Sequence, residues 1–155
     1  MIIQDKDKSY IQKSMDIIKT HDPDLYYKML AHKWEIYTMM TGADDWIIEL
    51  MTVNPVTGAK VIEELLTCAG LTYPELSLTF INAPSIADDV NAKNLNQPFI
   101  TAEVLAHEFK HICGEGEKVA YAENLRVAHE LHDPAGYKYY QEIISNIKNT
   151  AEYNS

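Results

Sequence analysis

His107, Glu108 and His111 stand in the pattern H-E-x-x-H, inside Leu105-Ala106-His107-Glu108-Phe109-Lys110-His111. Ile100, Val104, Leu105, Phe109 and Ile112 recur around it at helical spacing. Thr101 is placed to cap the start of that helix, with Glu103 favoured near the positive end of its dipole. On a helix, side chains four residues apart project from one face, so the two imidazoles lie one above the other. Two neutral imidazoles so arranged hold a Zn²⁺ ion, with Zn–N distances near ~2.0 Å. Glu108, turned to one side of the ion, is then a general base for a water the ion activates. A solvated helix that merely carries two surface histidines would be polar around them. This one is apolar up to and through the motif.

Catalytic zinc takes three protein ligands and keeps one position open. Downstream of His111 the donors are Glu115, Glu117, Glu123, His129, Glu130 and His132. Cys113-Gly114-Glu115-Gly116 reads as a tight turn, and a second helix is expected from Glu117 to about Leu131. Two helices joined so closely pack antiparallel, which sets the first turn of the second against the last turn of the first. Glu117 then lies nearest His111, and Glu123 falls nearly two turns further on, with an outer role in holding the ligands. Glu117 is the favoured third ligand and Glu123 the runner-up. His129 and His132, near a helix end, are read as partners of its dipole.

The elements needed to position these residues are legible in part. Residues 6–20 have an amphipathic helical pattern, and Asp22-Pro23-Asp24 breaks it and starts another helix. Trp34–Met40 reads as strand or continued helix, and Trp46–Val53 as a strand closed by Asn54-Pro55-Val56-Thr57-Gly58. A helix over Ala59–Cys68 stops at Gly70, and Leu76–Ile81 alternates as a strand. Asn82–Pro98 reads as a long polar loop, and Tyr137–Ile147 as the last helix. No repeat or linker divides the chain, so residues 1–155 are expected to form one α+β domain.

At 155 residues with 46 % hydrophobic content, the chain is long enough to bury a core. No apolar run is long enough to span a membrane. The formal net charge of −10 argues against nucleic acid as a partner, because neutralising phosphates takes Lys and Arg patches. Cys68 and Cys113 are too few for a disulfide framework. Met1-Ile2-Ile3-Gln4-Asp5-Lys6-Asp7 has no apolar core of a secretory signal, so the expectation is a cytoplasmic protein or one exported by a leaderless route.

Three stretches taken together resemble a known group. They are Asn54–Lys60, the H-E-x-x-H segment, and Glu117-Lys118-Val119-Ala120-Tyr121-Ala122-Glu123-Asn124-Leu125-Arg126. The chain is similar to zincin metallopeptidases of the gluzincin kind, in particular those of bacterial effectors and toxins, over roughly its last two-thirds. The resemblance implies a zincin-like domain in which a small sheet packs on the H-E-x-x-H helix and on an antiparallel helix carrying the third ligand, Glu117. It also implies one zinc per chain and a protein or peptide substrate. The group continues with Leu-Pro-Leu-Arg-x-x-Tyr, whose Arg and Tyr stabilise the oxyanion. Here Gly136 stands in place of the Arg and Tyr139 in place of the Tyr. Two functions follow: a zinc metallopeptidase with Glu108 as base and Tyr139 as a donor, or a catalytically degenerate zinc-bound domain that binds a protein partner. A purely structural site has no use for a base beside the metal, so the intact Glu108 favours the enzyme. The missing Arg favours the module.

Overall fold

The computed structural model describes residues 1–4, 8–41, 44–46, 49 and 55–155. Among them the chain is α+β, with seven α-helices and a four-stranded mixed sheet. The strands are β1 (Ile2–Gln4), β2 (Glu35–Met39), β3 (Gly70–Tyr73) and β4 (Leu78–Asn82), in the order β1-β2-β4-β3. β1 and β4 flank β2 in parallel, and β3 runs antiparallel to β4 along the edge. The β3–β4 link is tight. Pro74–Leu76 forms one 3₁₀ turn, and Ser77 takes a left-handed φ of 50° to reverse the chain.

Side chains alternate across a sheet, so register decides which face each strand residue serves. Tyr37, Phe80 and Leu71 are paired neighbours on one face. There Phe80 packs with Met39 and with Val61 and Leu65 of α3 (Pro55–Leu65). Ile36, Thr79 and Thr72 are paired on the other face, as are Thr38, Ile81 and Gly70. That face meets the larger core, built with α1 (Ser9–His21), α2 (Pro23–Ala31), α4 (Ala83–Lys93), α5 (Gln97–Ile112), α6 (Glu117–Glu130) and α7 (Pro134–Ile147).

The motif helix α5 lies at the centre of this core. Asn96 caps it by accepting the Phe99 N–H at 3.2 Å, and Pro98 sits in the first turn, where a missing N–H costs nothing. Thr101, expected at the cap, is instead buried inside the helix. Every residue from Ile100 to Phe109 is buried, because α1, α6 and the sheet enclose the helix. Gly114 ends the segment with φ 89°, a conformation open to glycine at little cost.

Several other expectations change. The polar stretch after β4 is not a loop. Asn82 accepts the Ser85 N–H at 3.0 Å and starts α4, whose buried contacts are limited to Ala83 and Ile86. So narrow a buried face gives little apolar periodicity to read. α3 begins at Pro55 rather than Ala59, and Gly70 opens strand β3 instead of closing a helix. The last helix starts at Pro134, capped by Asp133. β1 and β3, three and four residues long, are too short to show a pattern of their own. The expected strand Trp46–Val53 lies mostly outside the described residues, and Trp46 and Glu49 within it have helical backbone. Among the described residues no helix is long and apolar enough to cross a membrane.

Candidate metal centre

α5 and α6 meet across the short turn, and the structure brings His107, His111 and Glu117 together there. One ligand atom from each lies within 4.8 Å of the others. The two Nε2 atoms are 3.2 Å apart. Glu117 Oε1 lies 3.4 Å from His107 Nε2 and in close contact with His111 Nε2.

What fixes the imidazoles is the chemistry on their far sides. Asn124 of α6 donates its amide to the Glu103 carbonyl at 2.8 Å, which settles its orientation. Its Oδ1 therefore faces His107 Nδ1 at 2.7 Å and accepts that proton. His111 Nδ1 donates to the Glu115 carbonyl at 2.9 Å. In their neutral form both rings thus carry the proton on Nδ1 and turn the lone pair of Nε2 toward Glu117. Two lone pairs and a carboxylate oxygen then converge, a donor set that fits a divalent ion such as Zn²⁺, and in the ion's place a proton on Nε2 bridges from the imidazoles to Glu117.

Charge within the cluster follows from the same contacts. Burial works to raise the Glu117 pKa, but the hydrogen bonds from His107 and His111 outweigh it and hold the carboxyl at about 2. Burial works to lower the His111 pKa, but its bond to Glu117 and the charge of Glu108 outweigh that and raise it to about 9. Glu117 is a carboxylate at neutral pH.

Glu108 leaves α5 on the side facing β3. Thr72 donates its hydroxyl to Glu108 Oε2 at 2.7 Å. A side chain at Gly70 would collide with the same carboxylate, since its Cβ would stand 2.7 Å from Oε1. Only glycine lets the strand come this close. Glu108 and the three ligand candidates all line a cavity of about 750 Å³. Glu64, Asp89 and Glu152 line it too, and neither Lys nor Arg does among the described residues.

Glu123 is elsewhere. Arg126 binds it, with Nε at 2.8 Å from Oε1, Lys110 approaches Oε2 at 3.5 Å, and Arg126 also reaches Asp22 at 2.8 Å. It ties α6 to α5 and to the α1–α2 junction, and the outer positioning role expected of it is taken by its neighbour Asn124, which bonds to His107. Tyr139 lines the cavity, but its hydroxyl donates to Asp89 at 2.5 Å. Tyr121 was not singled out by sequence. Its ring stands edge-on to His107 with centroids 4.6 Å apart, and its hydroxyl has no hydrogen-bond partner among the described residues. Burial, then the charges of Glu117 and Glu108, push its pKa up to about 12, so the phenol keeps its proton. Its spacing of four from Glu117 was the available signal. Gly136 sits where a Cβ would meet Asp133 Oδ2 at 2.1 Å and Glu103 Oε1 at 2.7 Å, so a buried acid pair fills the space of any side chain there. His129 and His132 lie with Asp133, Pro134 and Tyr137 around a separate surface cavity.

Comparison with family models, with curated proteins and with solved structures gives no match to this chain.

Proposed function

We propose that the chain is a zinc metallopeptidase of zincin-like architecture, with His107, His111 and Glu117 as metal ligands and Glu108 as general base. The observation that carries the reading is the pairing of a convergent donor set, both imidazoles preset to offer Nε2, with a separately held carboxylate on the wall of the same cavity. When bound, zinc supplies Lewis-acid activation of a water and of the substrate carbonyl. Glu108 takes the proton of the attacking water on Oε1, since Oε2 is engaged by Thr72, and returns it to the leaving amine. Tyr121 and Tyr139 are the phenols placed to donate to the developing oxyanion, Tyr121 with its hydroxyl free to do so. The second reading, a catalytically degenerate zinc domain that binds a protein, draws on Gly136, where the buried acid pair excludes the arginine that the resemblance calls for.

Metal analysis and peptide hydrolysis test both. Purified protein should hold one zinc, and His107→Ala or His111→Ala should remove it. Glu108→Gln should keep the metal and lower kcat by roughly 10²–10⁴-fold, the usual contribution of a positioned acid–base group. Tyr121→Phe should slow turnover more than Tyr139→Phe. A wild-type protein without metal would overturn both readings. Zinc retained with no hydrolysis of any peptide in a degenerate library would select the binding module.

A further inference from the structure

We propose that Thr72 and Thr79 are positioning residues for Glu108, and that a one-way hydrogen-bond chain from the Trp34 indole through both hydroxyls orients its carboxylate. The proposal rests on the reading of Glu108 as the base. Its evidence is proton counting. An ionised carboxylate only accepts, so the contact between Thr72 Oγ1 and Glu108 Oε2 at 2.7 Å uses the single hydroxyl proton of Thr72. Thr72 Oγ1 also lies 2.7 Å from Thr79 Oγ1, and with its own proton spent it must accept there. Thr79 is therefore the donor, and its oxygen accepts in turn from the Trp34 indole N–H at 2.8 Å. An indole nitrogen can only donate. The polarity runs Trp34 to Thr79 to Thr72 to Glu108 with no choice at any link.

The sheet builds this chain. Thr72 and Thr79 are direct partners in the β3–β4 register, on the face turned to α5. Trp34 and Thr79 are almost fully buried, so the chain is anchored in the core and ends in the cavity. Bonds aligned in one direction strengthen one another in such surroundings. Gly70, two residues before Thr72 on the same face, leaves room for the other carboxylate oxygen. One oxygen is held and the other stays available.

Kinetics of the zinc-loaded protein test the assignment. Thr72→Val should lower kcat ~10–100-fold, the usual cost of losing an outer partner, with KM and zinc content little changed. Thr72→Ser, which restores the hydroxyl, should recover most of the loss. Thr72→Val should add nothing in a Glu108→Gln background, and Gly70→Ala should slow turnover by displacing the carboxylate. Wild-type kcat in Thr72→Val beside an inactive Glu108→Gln would overturn the chain and leave the base standing. An active Glu108→Gln would overturn the base itself. A readout free of activity comes from indole N–H resonances. Thr72→Val and Glu108→Gln should both shift the signal of Trp34. The signal of Trp46, whose indole donates to the Thr38 carbonyl at 3.0 Å, should not move. An unmoved Trp34 signal would overturn the proposal.

Discussion

The two histidines would be poor ligands if either ring could flip or exchange its proton between nitrogens. Asn124 and the Glu115 carbonyl prevent that, one from the facing helix and one from the turn. Three neighbouring polar residues on α6 therefore do three different things. Glu117 would offer an oxygen to an ion, Asn124 holds His107, and Glu123 pairs with Arg126 and Lys110. Titration of zinc-loaded variants with a chelator should rank them in that order. Glu117→Ala should lose zinc most readily, and Glu117→Asp less so. Asn124→Ala should weaken binding ~10–100-fold, as expected of an outer partner. Glu123→Ala should leave zinc affinity near that of the wild type. A Glu123→Ala protein that empties while Glu117→Ala stays loaded would reverse the assignment.

At the scale of elements, the joint between α5 and α7 buries two acids side by side. Glu103 on α5 is 0 % exposed and Asp133, the cap of α7, is nearly as buried. Among the described residues, no group outside this acid pair hydrogen-bonds to either Glu103 oxygen or to Asp133 Oδ2, and the Tyr140 hydroxyl beside them has no partner. Burial, then the adjacent Asp133, pushes the Glu103 pKa up to about 11, so the acid stays protonated and can donate to Asp133. Its ordinary value is 4.5. The folded state therefore holds a proton that the unfolded chain gives up above that value. This group's contribution to stability is complete below pH ~4.5 and is lost progressively as pH rises toward ~11. Thermal melts from pH 5 to pH 9 should show wild type losing stability relative to Glu103→Gln, whose amide stays neutral and can donate at any pH. Parallel pH profiles for the two proteins would mean that Glu103 is ionised in the fold.

Across the whole molecule the formal charge is −10, and the cavity shares that sign, with Glu64, Asp89, Glu108, Glu117 and Glu152 on its walls and neither Lys nor Arg among the described residues. Such a field raises the local concentration of cations and is screened by salt. Peptides with Lys or Arg near the cleaved bond should show higher kcat/KM than matched peptides with Asp or Glu, and the advantage should shrink between low salt and ~0.5 M, where the Debye length falls to a few ångström. Equal rates at all salt concentrations would remove charge from the account of specificity. The sequence by itself determined the local part of this protein: His107 and His111 share a face because the helical repeat puts them there, and Glu117 meets them because the connection is too short to allow another approach. The helices with wide apolar faces were legible for the same reason. Tertiary structure alone decided the rest. Thr72, Thr79, Trp34 and Gly70 reach Glu108 only through the pairing of β3 with β4 and their packing on α5, contacts between residues more than thirty positions apart in the case of Thr72. Short strands have no periodicity to reveal them, and register depends on partners that the local sequence does not name.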